Sequence, residues 1–503
     1  MAFDVKKFVV FKKVSLPKTQ TEKECEIELE GEVNKILTAS SGVSLISQET
    51  TDGVLNYVAE IATCVTYMTA DMKLGSANSI CEFSGKIENP LIKNGDKAIL
   101  SLVVAESKVG FENGNAYIKS VVQEEVDLIT KKEVKSIDCQ EDDVCMKNGN
   151  LKLDRFVGFG SRENICEDEF VAKANVKKIV SLEPSISIKN LECQNGYTSV
   201  SGETITRIIY LTIDDKFESH YLITPFKDEI EVEGVESGMV CECKPHVRQK
   251  GCEAEIIESD KGTKIIVKTP YNLNCYVYNA EEVAVVEDMY STNSEIMMSS
   301  ESFDMSSVCK SEVIDTKIDG SLTLGDEKPR VDKVIYNGAS SILITNSYVF
   351  DGELFIEGIA KTTVVYLNDD EGTLNSVEIE IPVAINEKTN ARNDAKVCSD
   401  AVIYDTDVVV KKGREFFFDG KIRVNVRICE EEVSATIVSA QRGEEYPEKD
   451  CAMQLVYGKE GESLWDVSKR YKVKEEQLLV QNSDVVFPLI QDVGLILFYQ
   501  KLM

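Results

Sequence analysis

Residues 202–226 read GETITRIIYLTIDDKFESHYLITPF, and the fold follows from how this stretch is read. Gly202 opens a run dominated by β-branched and aromatic residues, Tyr210 follows eight positions on, Asp214 and Asp215 supply a turn, and Pro225 and Phe226 begin the next strand region. Period-two runs of Val, Ile, Thr, Tyr and Phe bounded by Gly, Asn and Asp are the pattern of half-buried strands. The stretch therefore predicts a β-hairpin with a variable tip.

The phrase recurs. Gly358 is followed eight residues on by Tyr366, then by Asn368-Asp369-Asp370 and by Pro382; Ala59 is followed by Tyr67, Asp71 and Phe83. The anchors Ala59, Gly202 and Gly358 lie 143 and 156 residues apart, so the repeated units are whole domains. The anchors themselves read as residues that maintain the fold. Other alternating runs are 205–213 (ITRIIYLTI), 377–384 (VEIEIPVA) and 421–428 (KIRVNVRI), with Phe416 to Gly420 read as a turn before the last. The prediction is a mainly β chain: three tandem β-rich domains at 1–135, 151–290 and 311–440, then a small βααβ domain at 452–503. Linkers are expected at 136–150, at the Ser/Met-rich 291–310 and at 441–451.

A chain of 503 residues agrees with several domains. Its 87 acidic and 56 basic side chains give a net charge of -31, which opposes nucleic acid and an anionic membrane surface. Apolar residues at 43% supply enough surface for folded cores. Residues 452–503 hold seven acidic and six basic side chains, so nearly all of the acidity belongs to the repeats and is expected to keep them apart. The opening MAFDVKKFVVFKKVSLPK lacks the apolar core and small-residue cleavage site of a signal peptide, and the fifteen cysteines are irregularly spaced; together these predict synthesis in a reducing compartment. No run of 18 to 20 apolar residues occurs, so no membrane insertion is expected.

Helical signals appear only near the C-terminus. Ser463 and Asp466 form an S-x-x-D capping box, with Leu464, Val467 and Tyr471 at helical spacing. Residues 474–481 read as a second helix, with Asn482 as a left-handed C-cap, and strands are expected at 454–459 and 494–499. This segment resembles the LysM module: Tyr457 on the first strand, Gly461-Glu462-Ser463-Leu464-Trp465 opening the first helix, Val467 to Tyr471, and Asn482 closing the second helix. Glu462 stands where that family usually has Asp. Gln491-Asp492-Val493-Gly494 replaces the customary Pro-Gly-Gln beside the N-acetylglucosamine groove. Trp465, the only tryptophan, reads either as a surface anchor for a partner or as a packing residue.

The phrase around Gly358, with Pro329 to Val334 before it, and its second copy from Val180 to Tyr210, resemble the SPOCS domain of sporulation proteins. SPOCS repeats followed by LysM resemble clostridial spore-coat morphogenetic proteins of the SipL type. That resemblance implies a non-enzymatic scaffold in the mother-cell cytoplasm, at the forespore surface and in the spore coat. It would bind stage IV sporulation protein A, a polymerising ATPase, and other coat proteins. The partner face it implies on the LysM module comprises Leu455, Tyr457, Gly461, Ser463, Leu464, Trp465 and Asn482, and Trp465→Glu is expected to abolish capture. The alternative reading is a peptidoglycan- or chitin-binding cell-wall protein.

No catalytic residue, phosphate-binding loop or cofactor motif stands out, and the histidines number two, His220 and His246. The best metal candidates are Cys241, Cys243, His246 and Cys252, whose C-x-C-x2-H-x5-C spacing offers four soft ligands; the alternative is packing within a strand.

Overall fold

The computed structural model describes residues 3–112, 115–259, 262–369, 373–447 and 450–499, so Asp370 of the third acidic turn lies outside the described residues. Three times the chain follows the same six-strand path. The first repeat contains β1 (Asp4–Ser15) and β2 (Thr19–Ile27), two pieces of one strand interrupted near Pro17. It continues through β3 (Val33–Thr51), β4 (Val54–Thr69), β5 (Leu74–Glu88), β6 (Lys97–Glu112) and β7 (Asn115–Asp138). The second contains β8 (Val144–Val171), β9 (Val176–Gln194), β10 (Tyr197–Thr212) and β11 (Phe217–Glu231), then β12 (Val240–Val247) and β13 (Glu253–Ser259), two pieces of its fifth strand along the same partner, and β14 (Gly262–Ser291). The third contains β15 (Ser294–Thr323), β16 (Val331–Phe350), β17 (Glu353–Asn368), β18 (Leu374–Lys388), β19 (Lys396–Lys411) and β20 (Glu415–Glu445).

In each repeat the second to fourth strands form an antiparallel meander, and the last strand returns to pair with the first and the fifth in a separate sheet. The two sheets face each other. They meet along one edge where β3 packs on β6, β9 on β12 and β16 on β19, and along the other where β2 packs on β5, β8 on β11 and β15 on β18. Side chains alternate in and out along a strand. Leu354, Ile356, Ala360 and Val364 of β17 thus all point into one core against Phe416, Phe418 and Ile422 of β20. Phe416 to Gly420, expected as a turn, lies inside β20. Alternation explains the difference: Phe416 and Phe418 are buried, while Phe417 faces outward beneath the Lys411 ammonium.

The repeated anchors fall on the middle strand of each meander. A β-bulge adjoins each of them, at Leu45/Ser47, Ser201/Gly202 and Ile344/Asn346. The bulge presses backbone onto the anchor: a Cβ at Gly202 would lie 2.2 Å from the Ser187 carbonyl oxygen, and one at Gly358 2.6 Å from that of Leu343. Tyr67, Tyr210 and Tyr366 are all buried. The anchors act within the fold.

The repeats form a ring. The fourth strand of each packs on the second strand of the next: β5 on β9, β11 on β16, and β18 on β3. Leu37 and Met68 of the first repeat, Ile209 of the second, and Tyr336 and Val365 of the third share one apolar cluster. The chain therefore has a pseudo-threefold axis.

The expected linkers are largely strand. β7 ends at Asp138 and β8 begins at Val144, while β14 and β15 are separated only by residues 292 and 293, and β20 continues to Glu445. The first and last strands of each repeat extend beyond the rest as two-stranded ribbons, and the three ribbons pack together through Ile137, Met289, Ile437 and Ala440. At their centre the Thr436 hydroxyl lies 3.1 Å from the Val286 carbonyl oxygen and 3.0 Å from the Ser136 hydroxyl, which accepts the Val286 N–H at 3.2 Å. Ser136, in one expected linker, instead satisfies buried polar atoms where the ribbons meet.

Nor does acidity separate the repeats, because their junction is charge-balanced. Lys13 Nζ lies 3.0 Å from both Asp127 and Glu242, Arg427 pairs with Glu242, and Lys244 lies 2.7 Å from Asp400. These six groups come two from each repeat. Burial, the largest influence, pushes the Glu242 carboxyl up, but Arg427, Lys13 and Lys244 together hold it down at about 2. Its stabilisation is thus complete above the ordinary glutamate value of ~4.3 and is lost as pH falls toward 2. Glu242→Ala leaves Asp127 as the one carboxylate facing both Lys13 and Arg427 in a largely buried site. It should cost roughly 3–5 kcal/mol in urea unfolding at neutral pH, and the penalty should shrink between pH 4 and pH 2.

Candidate partner-binding site

After the repeats come β21 (Met453–Gly458), α1 (Leu464–Tyr471), α2 (Glu475–Gln481) and β22 (Val493–Phe498), in the βααβ order that the sequence predicts. α1 begins where Ser463 accepts the Asp466 N–H at 3.2 Å and Asp466 accepts the Ser463 N–H at 3.0 Å, a complete capping box. It ends at Lys472, whose φ of 59° is left-handed. Asn482 is no left-handed cap, since its φ is -136°. Its buried amide instead ties α2 to β22, donating at 2.9 Å to the carbonyls of Leu478 and Ile496 and accepting the Ile496 N–H at 2.8 Å. Gly461, with φ 83°, makes the turn into α1, and its N–H reaches the Leu489 carbonyl at 2.7 Å. Leu489 returns an N–H to the Glu462 carbonyl at 3.0 Å, which stitches the two loops of the module together.

The expected partner residues do not share one face. Trp465 is 8% exposed and is spent inside the chain. Its ring meets Tyr290 of β14 edge-on at 5.0 Å, and its Nε1–H donates to Asp288 at 2.9 Å. Lys469, one helical turn on, sits 2.6 Å from the same carboxylate, and the Tyr290 hydroxyl donates to the Val473 carbonyl at 2.7 Å. Burial, the largest influence on Asp288, raises its pKa; the hydrogen bonds from Lys469 and Trp465 and the Lys469 charge outweigh burial and leave it below the usual carboxylate range. α1 is thereby docked on the ribbon of the second repeat. Trp465 is the packing residue of the two readings, and no feature of residues 452–503 alone could reveal the acceptor on β14.

Leu455 and Tyr457 lie on a different surface. Val456 between them is buried in the small core, so alternation turns Leu455 and Tyr457 outward at 59% and 64% exposure. Across the two-stranded sheet they face Ile496 and Gly494, and Met453 faces Phe498. Met453, Leu455, Tyr457, Ile496 and Phe498 thus form an exposed apolar sheet face. Leu464 is half-buried against the module core. The sequence motif drew attention to Leu455 and Tyr457 but not to Met453, Ile496 or Phe498, which their pairing partners identify.

The candidate metal ligands scatter. On β12, Cys241 and Cys243 share one face and His246 takes the other, as period two requires. Cys241 packs against the core cluster that holds Cys193, Cys243 is the register partner of Cys275, and the Cys252 thiol lies 4.0 Å from the Thr269 hydroxyl. Burial and the Lys244 charge hold His246 down at about 4, so it is neutral near pH 7. Among the described residues no three His, Cys, Asp or Glu side chains converge as a metal site.

Comparison with known proteins places one segment in a family. Residues 175–257, spanning β9 to most of β13, match the family described as SipL, SPOCS domain. The chain therefore carries a SipL-type SPOCS domain, a module of sporulation proteins. No curated protein and no solved structure matches. Among the described residues, no helix is long and apolar enough to cross a membrane.

Because Trp465 is the sole tryptophan, its fluorescence reports docking directly. Asp288→Ala should shift the emission to the red and raise quenching by acrylamide. The depressed Asp288 pKa makes the docking contribution complete above the ordinary aspartate value of ~3.9 and lost as pH falls below it. The wild-type emission should therefore undergo the same red shift on acidification below about pH 4.

Proposed function

We propose that the chain is a non-enzymatic scaffold of spore-coat assembly, built from three SPOCS repeats and a LysM module. It works in the mother cell at the forespore surface. The module captures stage IV sporulation protein A, and repeated copies along that polymer add avidity through effective concentration. Other coat proteins gather on the repeats. The family match over 175–257 supports the sporulation setting. The observation that carries the binding reading is the exposed apolar sheet of the module, with Leu455 and Tyr457 at its centre, on a module whose Trp465 face is already occupied. An outward row of large apolar side chains on a soluble module marks a contact surface.

Leu455→Glu with Tyr457→Glu in the full chain should reduce co-purification with stage IV sporulation protein A at least ~10-fold, the effect of losing about 1.4 kcal/mol, and leave the urea unfolding of the repeats unchanged. Capture by the wild type should persist in moderate salt, because an apolar contact is not screened. Undiminished capture by the double variant, or retention of the wild type on chitin or peptidoglycan with no capture of the ATPase, would overturn the proposal.

A further inference from the structure

A cleft of about 880 Å³ opens where the three repeats meet, walled by β6 of the first, β9 and β12 of the second, and β15, β19 and β20 of the third. Two buried donors border it with nothing to receive them. Tyr278 on β14 is 7% exposed, and its hydroxyl has no hydrogen-bond partner among the described residues. Alternation turns this side chain away from the core of its own repeat, which takes Val277, and the register sets it beside Val240 of the cleft wall. Arg427 on β20 lies between Ser311 and Cys398 in the ladder, and both of these also border the cleft. One arm of its guanidinium is spent on Glu242, but its buried Nε–H has no acceptor among the described residues. A buried donor left unmet costs free energy, and a buried tyrosine hydroxyl as a rule finds a partner.

The rest of the wall fixes the chemistry of what fits. Leu102, Ile188, Leu191 and Val402 make part of it apolar. Its charged side chains are Lys189, Lys244 and Arg427 against Glu192, Glu242, Glu312 and Asp400, an excess of one carboxylate. An anion would meet that excess, and a cation could not accept from the two donors. An apolar wall with a few fixed polar groups, at a junction of domains, is the usual form of a small-molecule site, and the volume is ordinary for one. We propose that this cleft binds a small uncharged ligand with an apolar body and amide carbonyls, which accept from the Tyr278 hydroxyl and the Arg427 Nε–H. Strands of all three repeats wall the cleft, so the bound ligand also stabilises the closed ring by mass action.

The probe is N-acetylphenylalaninamide, titrated at neutral pH against the full chain and followed by saturation-transfer NMR. It should bind with a dissociation constant of about 1 mM or below. Its anionic counterpart N-acetylphenylalanine and the cation phenethylamine should bind at least ~10-fold more weakly. Tyr278→Phe removes one donor and should weaken the amide roughly 3- to 10-fold. Without the probe this variant should melt no lower than the wild type, because no protein hydrogen bond is lost. Val313 is an exposed residue of the cleft wall, and Val313→Trp should block the probe. No saturation transfer from the amide at about 10 mM, charged analogues that bind as tightly as the amide, or an amide affinity unchanged in both variants would overturn the proposal. So would a Tyr278→Phe chain that melts clearly lower, since its hydroxyl would then already have a partner. Tyr278→Phe decides alone if Val313→Trp fails to fold.

Discussion

The pairing of each repeat's last strand with its first governs the rest of the architecture. β7 returns along β1 and β2, β14 along β8, and β20 along β15. The backbone hydrogen bonds of these long strands are thereby satisfied, as burial demands. The pairing also brings the chain out of each repeat beside the point where it went in. Connections of five residues, 139–143, and of two, 292–293, then suffice to start the next repeat. Short connections at one pole leave the bodies free to pack around an axis, and the contacts of β5 with β9, β11 with β16 and β18 with β3 close the ring. A chain of this acidity tolerates such close packing because its junction carries three cations against three carboxylates, while most other charged groups remain in water where screening weakens their repulsion.

The C-terminal module is part of this arrangement. Asp288 and Tyr290 lie near the end of β14, beyond the stretch that pairs with β12 and β13, and they take up Trp465 and Lys469. One side of the module is committed to the repeats and the sheet side stays open. The single tryptophan, which on its own looks like a binding residue, thus orients a different surface.

Much of the fold was legible in the sequence because period two, the Gly-to-Tyr spacing and the acidic turns are local signals. The hairpins β4–β5, β10–β11 and β17–β18 follow from them, as does βααβ from the Ser463 capping box. The ribbons read as linkers because Ser136 and Ser291 hydrogen-bond to neighbours from other repeats, and a single strand gives no sign of those neighbours. Phe416 to Gly420 misled in the opposite way: consecutive aromatics hide an alternation that only the opposing sheet discloses. The candidate site divided similarly. Tyr457 and Leu455 are exposed by strand alternation, which sequence can follow; the fate of Trp465 depends on a carboxylate 177 residues away.

The ribbons also set a length. β14 leaves its partner β12 after Tyr278 and runs on to Ser291, which at ~3.3 Å per residue carries the docked module up to about 40 Å beyond the body of its repeat. Three ribbons packed side by side resist bending far better than a flexible tether. Anything bound by the module would therefore be held at a stand-off from the ring, with the ribbons as the spacer between the two. Copies anchored side by side would present their rings at one common height and define the thickness of a layer.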